Sequence, residues 1–78
     1  MAKKTIGVAI IGCGSIAKHR HAPEVAAHAS AKLVAVCDPV LARAEALAAA
    51  FGGKPYTDWQ SVVTMPDVDA VVVATPNY

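Results

Sequence analysis

Apolar and small residues alternate in phase along three short stretches of this 78-residue chain. In 5–11, Ile6, Val8 and Ile10 fall on one face and Gly7, Ala9 and Ile11 on the other. Both faces therefore need cover, which is the pattern of a central strand in a parallel sheet. The stretches 33–37 (LVAVC) and 70–74 (AVVVA) repeat it. Their valines favour a pleated strand because β-branched side chains suit that surface.

Helical patterns lie between these stretches. Residues 15–29 are helical in composition, but Pro23 has no N–H to donate to the carbonyl of His19. A kink, or a fresh helix start with Pro23 at its first position, is expected there. Residues 40–51 put Val40, Ala44 and Leu47 on one face toward the sheet, with Phe51 one turn beyond Leu47. Asp38 or Pro39 opens this helix, and Gly52-Gly53 closes it with the freedom for a left-handed cap. Lys54-Pro55-Tyr56-Thr57 leaves room only for a very short strand. Thr57 or Asp58 then caps a helix through Trp59, Val62 and Val63 that Pro66 terminates. Tyr56 and Trp59 are expected to cover one edge of the sheet, with Trp59 burying a large apolar area. The order is βαβαβαβ: an α/β chain with a parallel sheet and right-handed crossovers, forming one domain over 1–78. A chain of this size buries only about 60% of the surface of its unfolded form. Seventeen of its residues are alanine, and it stops directly after an apolar run. It therefore reads as the front of a larger protein.

Composition narrows the function classes. An apolar fraction of 55% is too high for disorder. A net charge of +1, with no basic cluster beyond Lys3-Lys4, gives no basis for a nucleic-acid partner. The apolar runs fall far short of the roughly 20 residues that span a bilayer, and 2–11 reads as a strand rather than a signal peptide. Two cysteines, Cys13 and Cys37, neither staple a secreted mini-protein nor form a metal motif, so a reducing, cytoplasmic setting is expected. Cys13 is expected to be a small packed side chain rather than a redox thiol, and Cys37 a core residue. His19, His21 and His28 all lie on the first helical segment; the first two are only two apart and do not share a face. They suggest neither a catalytic nor a metal site.

The chemistry-bearing motif is Gly12-Cys13-Gly14-Ser15-Ile16-Ala17, a GxGxxA that follows the first strand directly and opens the first helix. Gly12 allows the tight turn, Gly14 lets the backbone approach a pyrophosphate, and Ala17 lets the helix pack closely on the sheet. The amides of Ser15 and Ile16 then face the anion at a helix N-terminus. Twenty-four residues after Gly14, the second strand ends at Asp38. A carboxylate there accepts from the adenosine ribose hydroxyls of a dinucleotide, caps the following helix, or does both. S-adenosylmethionine is the competing ligand for this arrangement.

With these residues in register, the chain resembles the N-terminal domain of the Gfo/Idh/MocA oxidoreductases, the glucose-fructose oxidoreductase and inositol dehydrogenase family. The resemblance is carried by IGCGSIAKHRHAP, LVAVCDP, YTDW and VDAVVVATPN and covers nearly the whole chain. It implies an incomplete Rossmann-like domain, absent from which is a C-terminal α/β domain that forms the substrate site and often the oligomer interface. It further implies hydride transfer between NAD(P) and a sugar, polyol or related hydroxyl compound. By position, Gly12, Gly14, Ser15 and Ile16 line the pyrophosphate and Asp38 holds the adenosine ribose. Thr75, Pro76 and Asn77 lie beside the cofactor, and Arg43 approaches the adenine or stays solvated. The histidine that normally follows the TPN segment and the lysine of the EKP segment are not in this chain, so no catalytic residue is assigned and the chain alone is expected to be inactive. The same residues are compatible with an NAD-using glycoside hydrolase of the family, a non-catalytic NAD(H) sensor, or a methyltransferase. NAD is expected over NADP, because Asp38 would meet a 2′-phosphate with like charge and Pro39 offers it no donor. Arg43 is the one base placed to offset that.

Overall fold

The structure, a computed structural model, describes residues 5–14 and 20–74. Its elements run β1 (Ile6–Ile11), α1 (Ala22–Ala27), β2 (Ala31–Cys37), α2 (Leu41–Phe51), β3 (Lys54–Tyr56), α3 (Trp59–Val63) and β4 (Ala70–Val73). The four strands form one parallel sheet in the order β3-β2-β1-β4. The first two crossovers step outward from β1 to β2 to β3, and the third returns across the sheet to β4. With right-handed connections, that reversal puts α3 on the face opposite α1 and α2. The expected βαβαβαβ architecture is the one observed.

Each face of the sheet carries its own core. Ile10, Leu33 and Val36 pack with Cys13, Ala22 of α1, and Ala44 and Leu47 of α2. Ala9, Ala35 and Cys37 pack with Val62 of α3, with Ile11, Val34, Tyr56, Met65 and Val68 around them. Strand β2 does not alternate simply between these faces. Its register against β1 jumps from Val8↔Leu33 to Ala9↔Ala35, so Val34 is an extra residue in the ladder. Val34 and Ala35 consequently both serve the α3 side, while Leu33 and Val36 both serve the other.

At the amino end of the sheet, Gly7 and Asp69 bond reciprocally. The Gly7 N–H donates to Asp69 Oδ2 at 2.8 Å, and the Asp69 N–H donates to the Gly7 carbonyl at 2.7 Å. The chain passes so close here that a Cβ at Gly7 would overlap the Asp67 carbonyl oxygen and press on Val34 Cγ2 at 3.1 Å.

Several elements differ in detail from expectation. Helix α1 carries Pro23 in its first turn and continues directly from a wider π-type turn at 20–21, with His21 itself in a helical conformation. Val40 precedes α2 with an extended backbone and stands 47% exposed instead of joining Ala44 and Leu47 on the buried face. Gly52 ends α2 at positive φ, but its ψ of −177 is extended rather than left-handed helical. Asp58 caps α3 as expected, accepting from the Gln60 N–H at 3.0 Å. Trp59 does not bury: it is 53% exposed, because α3 is a single short turn whose inward position is taken by Val62. Strand β4 lies at the sheet edge, and the short α3 leaves Val71 and Val73 of its α3-side face exposed. No helix among the described residues is long and apolar enough to cross a membrane.

Two stability measurements follow from this packing. Val62→Ala empties a fully buried site and is expected to cost about 2 kcal/mol, whereas Trp59→Ala costs less than about 1 kcal/mol; urea midpoints in the reverse order would contradict the assignment of the α3 core. Gly7→Ala forces apart two backbone segments and is expected to cost about 1–3 kcal/mol in the same assay.

Candidate functional site

The carboxyl ends of all four parallel strands lie at one edge of the sheet, and the glycine loop leaves from the end of β1. Connections from β1 and to β4 run to opposite faces here, so the sheet order reverses between these two strands. Ligands of open α/β sheets bind outside such a point. The pairing continues past the strand ends. The Ala74 N–H donates to the Ile11 carbonyl, and the Gly12 N–H to the Cys37 carbonyl, both at 2.7 Å; the Asp38 N–H donates to the Tyr56 carbonyl at 3.0 Å.

Gly12 takes φ 96, a backbone conformation that a side chain would strain. Gly14 is a glycine for a different reason. Its φ is not positive, and a Cβ built on it meets no described atom within 4 Å. Neither backbone strain nor packing among the described residues calls for glycine there, while the open space at the strand edge is what a closely approaching pyrophosphate requires.

Asp38 follows β2 directly and is buried, with 6% exposure. Its Oδ2 accepts from the Cys13 N–H at 2.9 Å and its Oδ1 from the Val40 N–H at 2.8 Å. Asp38 does not cap α2 as expected: the N-cap is Val40, without a side-chain cap bond, and the bond of Asp38 to the Val40 N–H closes a turn ahead of the helix. The bond to Cys13 was not anticipated, although the register contains the signal. Once Ile11 pairs with Cys37, parallel continuation brings the loop alongside Asp38. Arg43 is exposed on α2 and lines, with Cys13, Ala46, Leu47 and Ala50, a cleft of about 260 Å³ between the loop and the helix. The structure thus brings Gly12, Gly14, Asp38 and Arg43 to one edge. Ser15, Ile16, Thr75, Pro76 and Asn77 lie outside the described residues.

Of the histidines, His28 lies just past α1, where its Nδ1 accepts from the Ser30 N–H at 3.1 Å, and His21 Nδ1 stands 3.9 Å from Glu24. His19 is outside the described residues. Among the described residues no three His, Cys, Asp or Glu side chains converge as a metal site.

Cys13 and Cys37 are both buried, free thiols, and the Cys13 Sγ–H donates to the Cys37 carbonyl at 3.4 Å. Burial, reinforced by the Asp38 carboxylate and by Cys37, pushes the Cys13 thiol up to about 11. Burial likewise pushes Cys37 up, with Asp58 and Asp38 adding to it. Cys13 packs in the core as expected. The raised thiol makes stability pH-dependent in a defined window. Below about pH 9 both folded and unfolded thiols are protonated and the contribution is fully present; as pH rises toward about 11 only the unfolded thiol ionises and the contribution is lost. Urea midpoints at about pH 8 and about pH 11 should show this loss, and Cys13→Ala should shrink it.

Comparison with known proteins agrees with this geometry. The family model for an oxidoreductase family with an NAD-binding Rossmann fold, Gfo/Idh/MocA, matches residues 6–78. Inositol 2-dehydrogenase of Rhizobium meliloti is 42% identical over 73 residues, covering 94% of this chain and 22% of the relative. D-glucoside 3-dehydrogenase of Escherichia coli is 37% identical over 78 residues, covering 99% of the chain and 22% of the relative. A 3-ketoreductase from Actinomadura kijaniata, solved with TDP-benzene and NADP, superposes with a TM-score of 0.88 at 33% identity, covering 94% of this chain and 23% of that one. The chain thus spans about a fifth of the length of the relatives it matches. The 3-ketoreductase holds NADP in this and several further structures, which overturns the expected preference for NAD. The physical reason lies in Asp38. The expectation needed a carboxylate turned to the ribose, and here both of its oxygens are turned to backbone amides. On the matched length, the fold and the motif register together, this chain belongs to the Gfo/Idh/MocA oxidoreductase family, with its NAD-binding Rossmann fold.

Proposed function

We propose that this chain is the dinucleotide-binding part of an NAD(P)-dependent oxidoreductase that acts on a hydroxyl carbon of a sugar or polyol. The observation that carries the reading is Gly14, a glycine that nothing in its described surroundings requires and that faces open space where the sheet order reverses. In this reading Gly12 and Gly14 shape the pyrophosphate loop, with Ser15 and Ile16 supplying amides to the anion. Asp38 stands at the adenosine side. Arg43, exposed beside the same cleft as Cys13, is available to a 2′-phosphate or to the adenine face. Thr75, Pro76 and Asn77, next in sequence after β4, are assigned to the cofactor as well. When bound, the nicotinamide supplies the hydride acceptor or donor.

The substrate class rests on the named relatives, an inositol dehydrogenase, a glucoside 3-dehydrogenase and a sugar 3-ketoreductase. Substrate contacts, the proton-transferring group and subunit contacts are assigned to sequence beyond this chain, which spans about a fifth of those relatives. A cytoplasmic, reducing setting suits the two free, buried thiols.

Calorimetric titration of NAD and NADP into the full-length protein carrying this chain tests the reading, and NADP is expected to bind at least as well as NAD. Gly14→Ala is expected to leave the unfolding midpoint unchanged within about 0.5 kcal/mol while weakening both dinucleotides at least about tenfold, or ~1.4 kcal/mol. A wild-type protein that binds neither dinucleotide would falsify the proposal.

A further inference from the structure

We propose that Asp38 is a positioning residue for the glycine loop: a buried clamp that holds the loop and the entry to α2 at a fixed separation, for NAD and NADP alike. The inference rests on the dinucleotide reading above and gives one of its residues a role that reading does not assign. Three observations carry it.

The first is where the carboxylate bonds end. Oδ1 takes the Val40 N–H two residues ahead, and Oδ2 takes the Cys13 N–H, 25 residues back in sequence. A buried carboxylate is costly unless its oxygens are occupied, and here each accepts a backbone amide. The side chain therefore ties two separate segments together, the loop and the turn ahead of α2.

The second is the position of Cys13. The ladder between β1 and β2 ends with the bond from the Gly12 N–H to the Cys37 carbonyl, so Cys13 carries the next amide of the loop. It stands between two glycines, the residues with the greatest backbone freedom. A loop so built does not hold its own shape, and a bond from its middle residue to a buried carboxylate restrains it before ligand arrives. Such restraint lowers the ordering cost of binding.

The third is the cleft. Its walls are the loop, through Cys13, and α2, through Arg43, Ala46, Leu47 and Ala50. Asp38 bonds to Cys13 on one side and to Val40, immediately before α2, on the other. One carboxylate thus joins both walls. A bond that joins the two walls acts on the cleft as a whole, so its loss is expected to reach both dinucleotides.

The test compares wild type, Asp38→Ala and Asp38→Asn in the full-length protein, with two readouts. Calorimetry gives dissociation constants for NAD and NADP, and hydrogen exchange read by mass spectrometry follows residues 11–14 without dinucleotide. Asp38→Ala is expected to weaken both dinucleotides by about tenfold or more, to leave their ratio within about twofold, and to speed exchange in 11–14. Asp38→Asn keeps one acceptor oxygen and is expected to fall between wild type and alanine in both readouts; if the alanine variant fails to fold, asparagine carries the comparison. Asp58→Ala, which removes the cap of α3 away from the loop, is expected to change neither readout. Selective loss of NAD with NADP unchanged would overturn the clamp and make Asp38 a ribose reader. Unchanged exchange in 11–14 would also overturn it. The exchange arm needs no cofactor, so failure of the clamp and failure of the dinucleotide reading give different results.

Discussion

Everything functional in this chain depends on the parallel pairing of β1 with a neighbour on each side. Parallel strands cannot be joined by tight turns, so every connection crosses a face of the sheet and every carboxyl end arrives at the same edge. With β2 on one side of β1 and β4 on the other, the connections run to opposite faces, and a gap opens where the glycine loop departs. The bonds from Gly12 to Cys37, Ala74 to Ile11 and Asp38 to Tyr56 carry the sheet's order a residue past β1, β4 and β2. The loop is therefore anchored at its base by the same ladder that holds the core.

That anchoring explains why glycine recurs for three unlike reasons. At Gly7 two backbones approach too closely for any side chain, at Gly12 the chain turns through a positive φ, and at Gly14 the described protein leaves room that it does not fill. Only at the third do the described residues give no reason for glycine, which is why the proposed dinucleotide reading rests on it.

Asp38 shows how burial changes the meaning of a residue. As a letter at a strand end it reads as an acceptor for a ribose, with a preference for NAD as the consequence. In the fold its oxygens meet the amides of Cys13 and Val40, and a solved relative with the same fold holds NADP. Both oxygens already accept from protein amides, so the ribose-directed geometry on which the preference for NAD was argued is not the one observed.

Periodicity, β-branched runs and the glycine spacing by themselves determined the element order, the α/β class and the loop at the end of β1. These are local properties, fixed by which residues share a strand face or tolerate a turn. What only the tertiary structure decided are matters of register and coverage. The extra residue at Val34 shifts which side chains of β2 face each core, and no alternation count reveals it, because a bulge arises from pairing with a partner strand. Trp59 and Val73, apolar enough to be expected inside, stand 53% and 67% exposed: Val62 takes the inward position of α3, and so short a helix leaves Val73 uncovered. The link from Asp38 to Cys13 joins residues 25 apart, and it exists only once β1 and β2 have aligned Ile11 with Cys37. Local chemistry placed the acid at a strand end; the packing of two strands chose its partners.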